Sequence, residues 1–285
     1  MSYESGEALL RHLEVERIDR YLFLGESPAQ PRRVFGGQVL AQALNAALRS
    51  VDESFTAHSM HAYFLRPGDP RRRIVFEVDP IRDGRSFATR RVVAKQDGKA
   101  IFNTSISFQQ EEGGLAHQTP MPDVTPPEAL ESDFDFWLKK HEQNPDRYAR
   151  PLARAIERRM VDRRDYDEPA SRDPIQHAWF RVVGAIGDDP RRHQTLLAFI
   201  SDFALLGAAL LPHPYTAESP DMQVASLDHA IWFHRNGRVD DYLLYSMDSP
   251  AASGGRGFSR GQFFSRAGTL LASTAQEALI RRRQR

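Results

Sequence analysis

Asp202 is the first residue in this chain that asks for a chemical explanation. It stands within Leu196-Leu197-Ala198-Phe199-Ile200-Ser201-Asp202-Phe203-Ala204-Leu205-Leu206, where a carboxylate is costly to bury unless it is paired or used. A helix that starts at Phe203 would make Ser201 or Asp202 an ordinary N-cap. The apolar helical pattern already running from Leu196 favours a functional carboxylate instead. Gln276 is the second such residue. The two-residue period of a strand places it on one face with Ala272, Thr274, Ala278 and Ile280; the alternative is an edge-strand glutamine facing water. Ser226 opens a strand that leads to His229, and alone it carries no signal.

Other chemistries are excluded by what is missing around their motifs. Gly257-Phe258-Ser259-Arg260-Gly261 matches the G-x-S-x-G nucleophile elbow, which needs a strand, a turn, a helix and a downstream acid and His. After Ser259 there is no Asp and no His, the only acid is Glu277, and the residues read as strand and hairpin. His58 and His61 are spaced like a metal pair, but no cysteine or spaced carboxylate completes a site, so no metal is expected. The absence of cysteine also removes disulfides, iron–sulfur centres and thiol nucleophiles, and fits a reducing compartment. With 38 basic and 38 acidic residues the chain has no net charge, unlike nucleic-acid binders with their basic excess. No apolar signal core lies in residues 1–25, the C-terminal Arg-Arg-Arg-Gln-Arg is not a Ser-Lys-Leu address, and the longest apolar run, Phe203 to Pro212, is short for a membrane span. A soluble, cytoplasmic protein without nucleic-acid or membrane partners is expected.

The elements that must position Asp202 and Gln276 come in two copies. His61-Ala62-Tyr63-Phe64-Leu65-Arg66 answers His229-Ala230-Ile231-Trp232-Phe233-His234, Gly84-Arg85-Ser86-Phe87 answers Gly255-Arg256-Gly257-Phe258, and Asp97-Gly98-Lys99 answers Ala267-Gly268-Thr269, each turn of the last pair leading to Thr104 or Thr274. The offsets, 168, 171 and 170 residues, are those of a duplicated domain rather than a solenoid. Each copy opens with an Ala-rich apolar helix, Gly37 to Arg49 or His193 to Leu211. Strands follow at Ala57–Leu65, Arg73–Asp79, Ser86–Lys95 and Lys99–Gln109, and at Gln223–His234, Asp241–Met247, Gly257–Phe264 and Thr269–Ile280. Glu16–Gly25 and Ala170–Gly187 supply a first strand to each. The expected organisation is a first repeat at 1–112, a Pro- and Gly-rich linker with a helical patch near Phe134–Glu142 at 113–152, and a second repeat at 153–285. A helix apolar on nearly all sides must be buried, so each copy is an antiparallel sheet wrapped around a central helix: an α+β protein of the double-hotdog type.

Several blocks resemble the type II acyl-CoA thioesterases, double-hotdog enzymes that hydrolyse acyl-CoA to fatty acid and CoA. These are Val34-Phe35-Gly36-Gly37-Gln38-Val39, His58-Ser59-Met60-His61-Ala62-Tyr63-Phe64-Leu65-Arg66-Pro67-Gly68-Asp69, Ser201-Asp202, Ser226-Leu227-Asp228-His229-Ala230-Ile231-Trp232-Phe233-His234-Arg235 and Ala272-Ser273-Thr274-Ala275-Gln276-Glu277. The resemblance runs from about Glu7 to Arg281. It implies an Asp, a Thr and a Gln holding the attacking water: the Asp matches Asp202, the Gln matches Gln276, and the Thr position holds Ser226, which keeps the hydroxyl and drops a methyl. Ile106 stands opposite Gln276 in the repeat, so only the second copy carries the amide.

On this reading Asp202 is the base or water orienter, with Ser226 and Gln276 fixing the water. Backbone N–H groups at Gly36-Gly37 are expected to stabilise the oxyanion. Arg256 and Arg260 are the candidates for the CoA phosphates. Phe203, Leu206, Trp232 and Phe264 are those for the acyl chain. No cofactor is needed, CoA being part of the substrate, and the family pairs such chains into homodimers or homotetramers. Two readings compete. A hydratase would use an Asp–His pair such as Asp202 and His213, and a non-catalytic acyl-CoA binder would owe its inactivity to Ser226.

Overall fold

The computed structural model describes residues 5–28, 33–151 and 155–283; the expected boundary at 152–153 lies outside them. The first repeat begins with helix α1 (Gly6–Leu13), a hairpin of β1 (Glu16–Asp19) and β2 (Leu22–Gly25), and helix α2 (Gly36–Leu48). Strands β3 (Phe55–Phe64), β4 (Ile74–Asp83), β5 (Phe87–Gln96) and β6 (Lys99–Gln110) complete it. A linker holding α3 (Asp133–Gln143) leads to β7 (Ile156–Met160), β8 (Ile175–Val182) and α4 (Pro190–Ser201). The second repeat closes with β9 (Met222–Ser226), β10 (Asp228–Phe233), β11 (Leu243–Ser253), β12 (Arg256–Ser265) and β13 (Leu270–Arg282).

α2 is an Ala- and Leu-rich helix in which every residue from Gly37 to Leu48 except Asn45 is buried. Its two glutamines tolerate burial because each finds carbonyls: the Gln38 amide donates to Glu26 O, and that of Gln42 to Glu26 O and His12 O. α4 is started by Asp189, whose carboxylate accepts the Arg191 N–H. The two helices lie head to tail. Arg191 at the start of α4 donates to Leu48 O at the end of α2, and Phe199 O near the end of α4 approaches Gly37 at the start of α2.

The strands form one antiparallel sheet in the order β1-β2-β4-β5-β6-β3-β10-β13-β12-β11-β8-β7, the repeats meeting where β3 pairs with β10. Alternating burial on β5 and β12 gives one face to the helices and the other to solvent. β13 is long enough to change partners. Its first half pairs with β10 and its last with β9, and the change falls at Gln276 and Glu277, where Leu227 N–H donates to Glu277 O. The single strand expected over Gln223–His234 is therefore two, bent at Leu227.

The expected helix His193–Leu211 is also two pieces. α4 stops at Ser201, Ala204 adopts a left-handed φ of 66°, and a 3-10 turn covers Leu205–Leu210. The break is held from outside the segment by Gln176, whose amide donates to Ala204 O. The register also corrects the repeat. With Thr104 and Thr274 superposed, their partners are Ala62 and Ile231, so His229 matches Met60 rather than His61. A one-residue slip in a strand changes the face: His61 is exposed, while His229 is buried. The pair Met60–Ile106 of the first repeat is thus apolar where the second has His229 and Gln276.

Candidate active site

Asp202 follows the last residue of α4, at its C-cap. It does not start the helix that carries it, so the N-cap reading fails for that helix. Its carboxylate reaches instead across to the first repeat, where Oδ2 accepts the Gly37 N–H at 2.9 Å. That contact ties the two repeats together at the N-terminus of α2, whose dipole favours an anion, while the C-terminal end of α4 opposes one. The approach requires glycine: a Cβ on Gly36 would lie 2.6 Å from Asp202 Oδ2, and one on Gly37 2.3 Å from Phe199 O. Gly37 N–H is committed to the carboxylate, so its part here is to hold Asp202 and not to serve as a ready oxyanion donor.

The second repeat supplies the other partners. Gln276 on β13 donates from Nε2 to Asp202 Oδ1 at 2.8 Å, and Ser226, the last residue of β9, places its Oγ 3.4 Å from the same oxygen. The three residues singled out in the sequence therefore converge. They do so because β9 and β13 part from β10 at Leu227, beside the broken end of α4. The network has a direction. Ser201 Oγ donates to Ala198 O and so accepts from His229 Nε2; His229 Nδ1 then accepts the second Gln276 proton, at 3.2 Å. Tyr245 donates to Ser201 O and accepts from Thr274.

Burial decides the protonation states. Desolvation pushes Asp202 up from 3.8 to about 6, against the lowering by Gln276, Gly37, Ser226 and the charge of Arg33. His229 is pushed down to about 3 by burial alone and stays neutral. A carboxylate at about 6 is a better base than an ordinary aspartate and is still ionised at neutral pH. Among the described residues no group of three His, Asp or Glu side chains is placed to hold a metal ion.

Other expectations are not brought here. Arg256 and Arg260 lie on the outer, solvent face of β12, in ion pairs with Glu277 and Asp248, on the opposite side from Gln276. Trp232 meets His61 edge to face on that same outer face. Phe264 belongs to a separate cluster with Trp179, Tyr242, Leu244 and Leu270, packed by Met121, Val124 and Leu130 of the linker. His213 is exposed and is not among the partners of Asp202. Phe203 and Leu206, close to Asp202 in sequence, do line cavities, neither of which Asp202, Ser226 or Gln276 borders. Phe203 borders a cavity of about 380 Å³ with Phe134, Trp137, Ile156 and Phe180, and Leu206 one of about 240 Å³ with Arg158, Arg164 and Glu218.

Two contributors escaped the sequence reading. Arg33 precedes the Val34-Phe35-Gly36-Gly37 block, donates to Val224 O beside Ser226, and acts electrostatically on Asp202; its place next to that block was the available signal. His229 enters the sequence reading only as a repeat position, and nothing in sequence connects it to Gln276. Gly37 was expected at the site in a different role.

The chain is similar to known proteins along most of its length. Residues 25–109 match the family model of the acyl-CoA thioesterase N-terminal domain, and residues 157–279 that of acyl-CoA thioesterase. Acyl-CoA thioesterase 2 of Haemophilus influenzae is 40% identical over 280 residues, covering 96% of this chain and 96% of the relative. Acyl-coenzyme A thioesterase 8 of Mus musculus is 40% identical over 94% of this chain and 87% of its own length. The crystal structure of the acyl-CoA thioesterase II TesB2 from Mycobacterium marinum superposes with a TM-score of 0.78 at 39% identity, covering 95% of this chain and 96% of that one. With two family models covering most of its length and relatives of this similarity along nearly all of it, the chain belongs to the acyl-CoA thioesterase family.

Proposed function

We propose that this acyl-CoA thioesterase hydrolyses its substrate by direct attack of a water molecule, with Asp202 as general base and Ser226 and Gln276 as the groups that orient it. The observation that carries this reading is a buried carboxylate, raised to about 6, with a hydroxyl and an amide on one oxygen and a helix N–H on the other. Asp202 takes a proton from water as the hydroxide oxygen bonds to the thioester carbonyl carbon. The tetrahedral oxyanion collapses with cleavage of the C–S bond, and the proton on Asp202 passes to the departing CoA thiolate. Gln276 and the Gly37 N–H stabilise the carboxylate before the first transfer and after the second. Thiolate is a good leaving group, so no covalent nucleophile is required.

Arg33 supports a role at the mouth. It is exposed, adjoins Ser226 through Val224, and has no carboxylate at ion-pair distance among the described residues, so it suits the CoA phosphates better than the paired Arg256 and Arg260. The acyl chain is assigned to the cavity bordered by Phe203, the residue next to Asp202. A homodimer or homotetramer in the cytoplasm remains part of the proposal; sedimentation of the purified protein tests the assembly.

Thiol release from short, medium and long acyl-CoAs by wild type, Asp202→Ala, Ser226→Ala and Gln276→Ala tests the mechanism. Loss of about 10²-fold or more at Asp202 and Gln276 with intact folding supports it. Near wild-type turnover in either variant removes the assignment.

A further inference from the structure

The Gly257-Phe258-Ser259-Arg260-Gly261 motif lies wholly within β12, so it builds no nucleophile elbow. Its glycines serve packing: a Cβ on Gly257 would lie 2.5 Å from Ala209 Cβ, and one on Gly261 2.3 Å from the Tyr245 ring. Between them Ser259 points inward and is 1% exposed, while Phe258 and Arg260 point to solvent. Its direct partner across the β12–β13 ladder is Gln276.

Gln276 has spent its donors. Nε2 serves Asp202 Oδ1 and His229 Nδ1, so Oε1 is left to accept. Both Gln276 Oε1 and Ser259 Oγ are buried without a hydrogen-bond partner among the described residues, which native structures rarely tolerate. Directly opposed side chains on one face of an antiparallel pair have Cβ atoms about 4.5–5.5 Å apart, a span that a serine hydroxyl and a glutamine amide can close by rotation. The matching pair in the first repeat is Arg90 and Ile106. There Arg90 turns away to Ser50 and Asp83, and an isoleucine accepts nothing. The hydroxyl–amide pair belongs only to the half that carries Asp202.

We infer that Ser259 is a positioning residue for hydrolysis: its hydroxyl donates to Gln276 Oε1 and thereby holds the amide with its NH2 group toward Asp202. The inference rests on the proposed roles of Asp202 and Gln276. An amide turned over would present its oxygen to the carboxylate and oppose ionisation. Around Asp202 stand the Gly37 N–H from α2, Arg33 ahead of that helix, Ser226 from β9, Gln276 from β13 and the Tyr245 phenol from β11. Ser259 reaches it only through Gln276.

The test is Ser259→Ala, with Ser259→Thr and Ser259→Val as a pair of equal shape that differ in the hydroxyl. In Ser259→Ala, kcat falls about three- to tenfold with KM unchanged, and the acid limb of the pH profile moves up by about half to one pH unit. Infrared titration of the Asp202 carboxyl, with Asp202→Asn as blank, shows the same displacement without relying on turnover. Ser259→Thr restores the limb and Ser259→Val does not. A folded Ser259→Ala protein with the wild-type limb and wild-type infrared titration overturns the inference, as does Val matching Thr. If Asp202→Asn itself keeps full thiol release, the hydrolytic assignment has failed; if Asp202→Asn is inactive and only the Ser259 shifts are missing, this inference alone has failed.

Discussion

Replacing Asp202 by Asn should make the protein more stable at neutral pH while abolishing its activity. The carboxyl titrates at about 6 in the folded chain against an ordinary 3.8, so the folded state binds this proton more tightly than the unfolded one does. Its contribution to stability is complete below 3.8, is lost as pH rises through about 6, and stays lost above that. The rise corresponds to about 3 kcal/mol, the cost of keeping a buried anion that three hydrogen bonds only partly offset. Asparagine keeps the shape and can still accept the Gly37 N–H but carries no charge. In urea unfolding, Asp202→Asn should exceed wild type by about 2–3 kcal/mol at pH 8, with the difference closing as pH falls toward 4. A difference of the opposite sign, constant across that range, would refute the reasoning. It would mean that the carboxylate is held at no electrostatic cost.

The same titration sets the pH–rate profile: kcat/KM for thiol release should rise with pH through about 6 and then level off, and neutral His229, held near 3, should add no second limb in that range. Gly37→Ala forces a Cβ toward Phe199 O and should cost several kcal/mol in unfolding experiments together with most of the activity, since α2 and Asp202 must separate. Arg33→Ala should raise KM for acyl-CoA, flatten its dependence on ionic strength, and move the acid limb upward, all within one set of kinetic profiles at varied salt and pH. Trp137→Ala enlarges the cavity bordered by Phe203 and should shift the chain-length optimum upward in a panel of saturated acyl-CoAs; an unchanged profile would place the acyl chain elsewhere.

Much of the architecture was legible because burial imposes its period on the residues. Ala- and Leu-rich α2 had nowhere to lie but inside a sheet, and the alternation in 86–95 and 257–264 identified strands within a residue or two of β5 and β12. Asp202 and Gln276 were legible for the converse reason, as polar groups in apolar company. The chain's departures from those readings have tertiary causes. Nothing in Ser201-Asp202-Phe203-Ala204-Leu205 announces a left-handed alanine; the break depends on Gln176, 28 residues earlier in sequence. Letter matching paired His61 with His229, while superposing the repeats by their strand pairing makes Met60 the counterpart of His229. Helix α1 escaped notice because Glu7 and Arg11 mask a stripe of Leu9, Leu10 and Leu13 that packs inside. Arginine abundance gave no means of choosing among candidates, and only the facing of β12 removes Arg256 and Arg260 from the interior.

Oxygen-18 tracing of a single turnover bears most directly on attack by a water held at Asp202. With enzyme in excess over acyl-CoA in labelled water, hydrolysis by an activated water puts one labelled oxygen into every fatty-acid product and none into the peptide containing Asp202. Labelled Asp202, with unlabelled product from the first turnover, would mean that the carboxylate itself attacked the thioester and was then regenerated through its own carbonyl, and the role of base would be lost.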